Sequence, residues 1–284
     1  MATYPLAQKV VLITGAARGI GAGTARALAA RGARVSLVGL EPELLAQLAD
    51  ELGANAVWFE ADVTDRAALD AAVAGTVERF GGIDIVLANA GIAPVGTVTT
   101  LPAEAWEQTI EVNLLGVYRT IRATLPHVIE RRGYILPIAS LAAALHAPLM
   151  SPYAASKAAV EALTDSLRAE LAPKGVAVGC AYFSYIDTDM VREARAHPAT
   201  RTADLIGGVA PLSDAVDALL HAMEHRSRRA YAPRWVGPLL WARGVVNPLI
   251  SLLGPRRRDV REAIRIAEEN PRGPGSGAMA PRSG

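Results

Sequence analysis

Short, nearly continuous apolar runs alternate along this chain with longer segments in which apolar residues recur at helical spacing. Val10-Val11-Leu12-Ile13 and Ile83-Asp84-Ile85-Val86-Leu87 are the clearest runs. A strand solvated on one face alternates apolar and polar residues, whereas a strand apolar throughout is buried on both faces, as in a parallel sheet between helical layers. The alternation therefore predicts an α/β fold with a doubly wound, Rossmann-like parallel sheet, because parallel neighbours need crossover connections and helices supply them. Strands are expected near 9–14, 34–39, 56–60, 83–88, 133–139, 176–182 and 229–232, and helices near 19–31, 42–52, 66–80, 103–131, 153–172 and 213–226. Pro137 lies awkwardly inside one of these strands; it has no N–H for the ladder, which predicts a bulge or a one-sided ladder. Nothing repeats at a fixed period of about 20–50 residues, which argues against a solenoid or propeller.

The turn after the first strand narrows the reading. Thr14-Gly15-Ala16-Ala17-Arg18-Gly19-Ile20-Gly21 runs directly into a helical pattern. Glycines permit a tight turn and a close backbone approach to phosphate, and the helix start presents free N–H groups to the anion. Gly15, Arg18, Gly19, Ile20 and Gly21 are thus candidate cofactor-binding residues, spaced Gly-x-x-x-Gly-x-Gly rather than as the general Gly-x-Gly-x-x-Gly fingerprint. An acid at the end of the second strand would accept hydrogen bonds from the adenosine ribose and repel a 2′-phosphate. Gly39 and Leu40 stand there instead; Arg18 could supply a cation for that phosphate, while Glu41, about two residues further, could instead reach the ribose if the strand end is displaced. NADP is favoured on these grounds, with NAD as the alternative.

Further along, Asp62 and Val63 follow the third strand, and Asn89-Ala90-Gly91 follow the fourth. Asn113 stands within the next helical stretch. Ser140, Tyr153 and Lys157 then occur at separations of thirteen and four residues. Each element alone is common, but the ordered set is specific. It resembles the short-chain dehydrogenase/reductase family over roughly residues 8–235. The resemblance implies an NAD(P)-dependent oxidoreductase, a ketoreductase or alcohol dehydrogenase, that moves a hydride between the cofactor and a secondary alcohol or ketone. It assigns Asp62 with Val63 to the adenine side, and Asn89, Ala90 and Gly91 to the cofactor, with Ala88 in place of a usual Asn. Ile186 and Thr188 would hold the nicotinamide carboxamide. Tyr153 would be the general acid/base, Lys157 its partner and a cofactor ligand, Ser140 the holder of the substrate oxygen, and Asn113 the anchor of a water relay.

The residue types suit that chemistry. Tyr153 and Lys157, four apart in a helical segment, share a face. A free phenol titrates near pH ~10 and becomes a useful base at neutrality only when a nearby cation favours the phenolate. An ammonium and an oxidised nicotinamide both act in that direction, so a lowered Tyr153 pKa is expected. An epimerase or dehydratase with retained cofactor could use the same motifs, as could a non-enzymatic cofactor sensor, which the complete Ser-Tyr-Lys set argues against. Phe183-Ser184 replace the family's Pro-Gly, so the following loop is expected to take a different path. Phe183 or Tyr185 could then narrow the cleft or line the substrate pocket.

Composition adds a boundary. Of 284 residues, 29 are Lys or Arg and 28 are Asp or Glu, a net charge of +1 that offers no basic footprint for nucleic acid. Residues 226–284 nevertheless hold twelve arginines and only four acids, Asp259, Glu262, Glu268 and Glu269, while the preceding 225 residues carry a net −7. The expected organisation is a Rossmann-like cofactor-binding and catalytic domain over 1–233, an apolar and basic helical extension over 234–270, and a disordered Gly/Pro/Ser-rich tail over 271–284. Within 235–253, prolines, glycines and Arg243 disfavour a spanning helix; two short amphipathic helices over the substrate cleft or at a homo-oligomer interface are expected. Peripheral membrane contact, suggested by Arg256-Arg257-Arg258 after the apolar stretch, is possible but not favoured. The long connection 190–212, with Met190, Val191, Leu205, Ile206, Val209 and Leu212, points to a fairly large apolar small-molecule substrate. The histidines show no metal-ligand pattern, so no metal is expected. The lone Cys180 and the absence of a signal-like N-terminus suggest the cytoplasm.

Overall fold

The computed structural model describes residues 3–201 and 208–270. β1 (Val10–Thr14), β2 (Arg34–Gly39), β3 (Ala56–Glu60), β4 (Ile85–Ala88), β5 (Tyr134–Pro137) and the short β6 (Ala177–Val178) form a parallel sheet in the order β3-β2-β1-β4-β5-β6. β7 (Cys180–Phe183) pairs in parallel with β8 (Arg229–Ala232). An Ile138–Ala181 bridge carries the register of β5 from β6 on to β7, so the sheet continues through both strands to β8.

Pro137 explains the interruption. Gly179 donates to the Ile135 carbonyl at 2.9 Å and Ala139 donates to Ala181 at 2.8 Å; the donor between them is the one proline lacks. The strand expected over 176–182 is therefore split at Gly179. Glycine is required there, because a Cβ would lie 2.1 Å from the Tyr134 hydroxyl and 2.3 Å from the Ser227 carbonyl.

Period-two alternation distributes each strand between two cores. Val11 and Ile13 face α1 (Gly19–Ala29), α2 (Pro42–Leu52) and α8 (Leu212–His225), while Val10 and Leu12 face α3 (Arg66–Phe80), α5 (Val117–Glu130) and α6 (Ser151–Leu171). Asp65 caps α3 by accepting from the Ala67 and Ala68 N–H groups, and Gly81 ends it at φ +79°. The single helix expected over 103–131 is α4 (Ala103–Ile110), a π-helical turn at Glu111–Gly116 and then α5. Such turns arise where a side chain demands an extra residue in the helix, and this one contains buried Asn113.

The long connection expected over 190–212 contains most of α7 (Asp189–Ala196) and a 3₁₀ turn at Pro198–Arg201. Leu205, Ile206 and the tail 271–284 lie outside the described residues. α9 (Val236–Trp241) and α10 (Arg243–Leu253) follow β8, and α11 (Arg258–Glu269), a third helix within the helical extension expected over 234–270, packs Ala263 and Ala267 on Ala199 and Leu149.

Candidate active site

The order β3-β2-β1-β4 reverses direction at β1, and a parallel sheet opens a crevice at the carboxyl ends of its strands at such a point. The residues following β1, β2, β4, β5 and β7 meet there. Gly15 and Gly19 have φ of +64° and +53°, and a Cβ on Gly21 would lie 2.3 Å from the Gly15 carbonyl. Asn89 fastens this turn: its Nδ2 donates to the Thr14 and Gly15 carbonyls, both at 2.9 Å, while Thr14 Oγ1 accepts from the Asn89 and Ala90 N–H groups. The Asn89 amide is thus committed to shaping the turn. Across the crevice, a Cβ on Gly19 would approach the Thr188 methyl to 3.3 Å.

α1 begins at extended Arg18 with no side-chain cap and no acid in its first turn, so its leading N–H groups face the crevice without an intramolecular acceptor. Ser184 Oγ, just ahead of Ile186 and Thr188, is buried with no partner among the described residues. An uncapped helix start behind a glycine turn suits a pyrophosphate, and an unpaired buried hydroxyl suits a polar group entering at the other end. The residues present fit a dinucleotide. The structure also revises details. Arg18 is occupied: its Nη2 lies 2.5 Å from Glu41 Oε1. Glu41 folds back so that its other oxygen sits 3.7 Å from where a Gly39 Cβ would be, leaving Leu40 exposed. Asp62 accepts from the Thr64 N–H at 2.8 Å, and the Val63 side chain turns into the core against Gly116 rather than into the crevice.

At the far end, Ser140 leaves β5 in extended conformation, donates to the Phe183 carbonyl at 3.2 Å and accepts from the Ala142 N–H at 3.1 Å. Its hydroxyl also acts on the Tyr153 phenol, favouring the ionised form. Tyr153 and Lys157 lie on the first turns of α6, with Lys157 Nζ 5.6 Å from the Tyr153 ring centroid and donating to the Ile138 carbonyl at 2.8 Å. Asn113 closes the group: Oδ1 accepts from the Ile92 N–H at 2.8 Å, and Nδ2 donates to the Ile92 carbonyl and to Ser156 Oγ. Ser156 in turn donates to the Tyr153 carbonyl at 2.8 Å. Asn113 therefore locks the loop after β4 onto α6, and no sequence signal singled out Ser156 because this contact spans 43 residues.

Electrostatics runs against the simple expectation. Burial pushes the Tyr153 phenol up, with Ser140 opposing it, and brings Lys157 down to about 8. Desolvation penalises the charged form of both groups and outweighs the opposing influences of Ser140 on Tyr153 and of Cys180 on Lys157. Tyr153 is consequently a proton donor in this state. Phe183 is core, whereas half-buried Tyr185 faces Tyr153 and raises its pKa slightly further. The loop lacking Pro-Gly is held by backbone pairing instead: Ser184 donates to Ala232, Asp187 to Ala210 and Ala210 to Tyr185.

Comparison with known proteins agrees with this architecture. The sequence model described as short chain dehydrogenase matches residues 9–199. Among relatives, 2,3-dihydro-2,3-dihydroxybenzoate dehydrogenase of Bacillus subtilis is 38% identical over 186 residues, 64% of this chain and 71% of that protein. The 3-oxoacyl-(acyl-carrier-protein) reductase FabG of Escherichia coli is 35% identical over 185 residues, 65% of this chain and 76% of that one. Among solved structures, a 3-ketoacyl-(acyl-carrier-protein) reductase from Brucella melitensis complexed with NADH superposes with a TM-score of 0.72 at 28% identity, covering 80% of this chain and 97% of that one. With its family sequence pattern spanning two thirds of its length and its strands in the matching order, this chain belongs to the short-chain dehydrogenase/reductase family.

Proposed function

We propose that the chain is an NAD(H)-dependent oxidoreductase that interconverts a secondary alcohol and a ketone on a fairly large apolar substrate, with residues 1–233 as the catalytic unit. The observation that carries this reading is the convergence of Ser140, Tyr153 and Lys157 at the inner end of a crevice whose outer end is an uncapped helix start. When bound, the nicotinamide supplies or accepts the hydride. Ser140 then orients the substrate oxygen, and Tyr153 delivers a proton to that oxygen in reduction or removes it in oxidation. Lys157, its ammonium near the phenol, stabilises the phenolate once Tyr153 has given up its proton. Thr188 and Ile186 would hold the carboxamide end, and the α1 start with Gly15 and Gly19 the pyrophosphate.

Support for NAD(H), against the NADP(H) favoured by the sequence, comes from Glu41. Its carboxylate lies where an acid projecting from the end of β2 would lie, and it neutralises the Arg18 cation that a 2′-phosphate would need. The test is a panel of cyclic, acyl and polycyclic ketones and alcohols, read by reduced-nicotinamide absorbance with each cofactor. Turnover with NADH exceeding that with NADPH is expected. Glu41→Ala, which frees Arg18 and removes the repulsion, should narrow that ratio about tenfold or more, given roughly 1.5–3 kcal/mol for a hydrogen bond to a charged group. Cofactor binding with no turnover across the panel would overturn the oxidoreductase assignment, and an unchanged ratio in Glu41→Ala would overturn the role of Glu41.

A further inference from the structure

α10 does not behave as a helix of a finished surface. Six of its eleven residues are Val, Leu or Ile, yet none of its described side chains is buried. Trp241 at the end of α9, then Val245, Leu249, Leu252 and Leu253, are between 52% and 76% exposed. Spaced by four, four, three and one, they form one stripe along a helical face. An apolar stripe of this size on a free surface marks a contact.

Charge identifies the partner. From His225 to Arg258 the chain holds eight arginines and no Asp or Glu. Arg243 is paired with Glu161 at 2.7 Å, while exposed Arg256 and Arg258 flank the C-terminal end of the stripe and Arg229 sits over the Trp241 ring at 5.2 Å. Of the four acids beyond, Asp259, Glu262 and Glu269 are engaged by Arg257 and Arg265, and Glu268 accepts from Thr99. A two-fold contact would bring this face against itself, arginines against arginines, with Glu161 already held by Arg243 and no acid between residues 225 and 258 to relieve the others. A surface apolar beneath and anionic above matches it. Tryptophan and arginine bracketing an apolar helical face is also the arrangement that settles at a lipid headgroup boundary.

We propose that the α9–α10 face docks on the surface of an anionic lipid bilayer, lying in the interface rather than crossing it; among the described residues no helix is long and apolar enough to span. Such docking would hold the enzyme at the phase in which apolar substrates concentrate.

The experiment is sedimentation of the full chain with vesicles of phosphatidylcholine and phosphatidylglycerol, against vesicles of phosphatidylcholine alone. Binding to the anionic vesicles is expected, at least tenfold weaker on neutral ones and falling as salt is raised. Arg256→Gln with Arg258→Gln should weaken it about 30-fold, from roughly fivefold per surface arginine. Leu249→Asp with Leu252→Asp should abolish it while leaving cofactor affinity and the sedimentation coefficient in solution unchanged. Equal binding to both vesicle types, or none, overturns the proposal. So does a wild-type dimer that the Leu249→Asp, Leu252→Asp variant converts to monomer, which would assign the face to a second copy.

Discussion

α6 and α10 invert the usual relation between hydropathy and burial. α6 carries Lys157 and Glu161 into the interior, at 4% and 7% exposure, whereas α10 leaves Val245, Leu249 and Leu252 in solvent. The difference lies in partners. Lys157 is received by the Ile138 carbonyl, and Glu161 by the Tyr182 hydroxyl at 3.0 Å and by Arg243 Nη1 at 2.7 Å. Buried charges persist because each has a specific acceptor or donor, and α10 is tethered to α6 through one of those charges, not through its apolar face. The helix that buries its charges carries the candidate chemistry; the helix that exposes its apolar residues lies beyond the stretch matched by the family.

The contrast can be broken at several points. The largest effect is expected at Tyr153→Phe, which removes the proton donor and keeps the ring: kcat should fall by about 10²–10⁴ while cofactor affinity, measured by fluorescence titration, holds. Loss of cofactor affinity in parallel would make Tyr153 a structural residue.

Next comes the buried lysine. With a folded pKa near 8 against an ordinary 10.5, the unfolded chain binds more protons than the native one between those values, so stability rises with pH across that window. Denaturant unfolding of the cofactor-free protein should therefore show wild type gaining on Lys157→Met by up to roughly 3 kcal/mol from the lower to the upper limit. Parallel curves would mean that Lys157 is not desolvated.

Smaller is the tether. Arg243→Ala leaves Glu161 with Tyr182 alone and should lower unfolding free energy by about 1–2 kcal/mol, less than for a fully buried pair because Arg243 is partly solvated. The rescue is diagnostic: adding Glu161→Gln should recover part of the loss. The smallest effect is expected at Leu249→Gln, which should change stability in solution by no more than about 0.5 kcal/mol because the side chain is uncovered. A loss above about 2 kcal/mol would mean that the stripe is packed in water.

Local rules made much of this molecule legible. Apolar continuity in Val10–Ile13 announced a strand buried on both faces, since a strand shows its two faces to any reader of alternate residues. The separation of Tyr153 and Lys157 put them on one helical face because the helix repeat is a property of the backbone. The glycines at 15, 19 and 21 marked a turn that side chains would block. Other features depend on residues far apart. Pro137 is an anomaly in its own strand and makes sense only against Gly179 opposite it, and Asn113, placed by the family resemblance at a water relay, has its amide taken up by Ile92 and Ser156. Arg18 is a free cation in any local reading, and its charge is answered by Glu41, 23 residues on, only because the fold turns that carboxylate back onto it.

The sequence by itself determined the parallel sheet, the place of the glycine turn and the order of the residues around the crevice, because periodicity and steric permission act within a few residues of chain. Only the tertiary structure decided that Tyr153 keeps its proton, that Lys157 sits near neutrality, that Arg18 answers to Glu41 and that α10 is left uncovered. Desolvation and charge pairing set those outcomes, and both depend on what the fold brings alongside a group rather than on its neighbours in the chain.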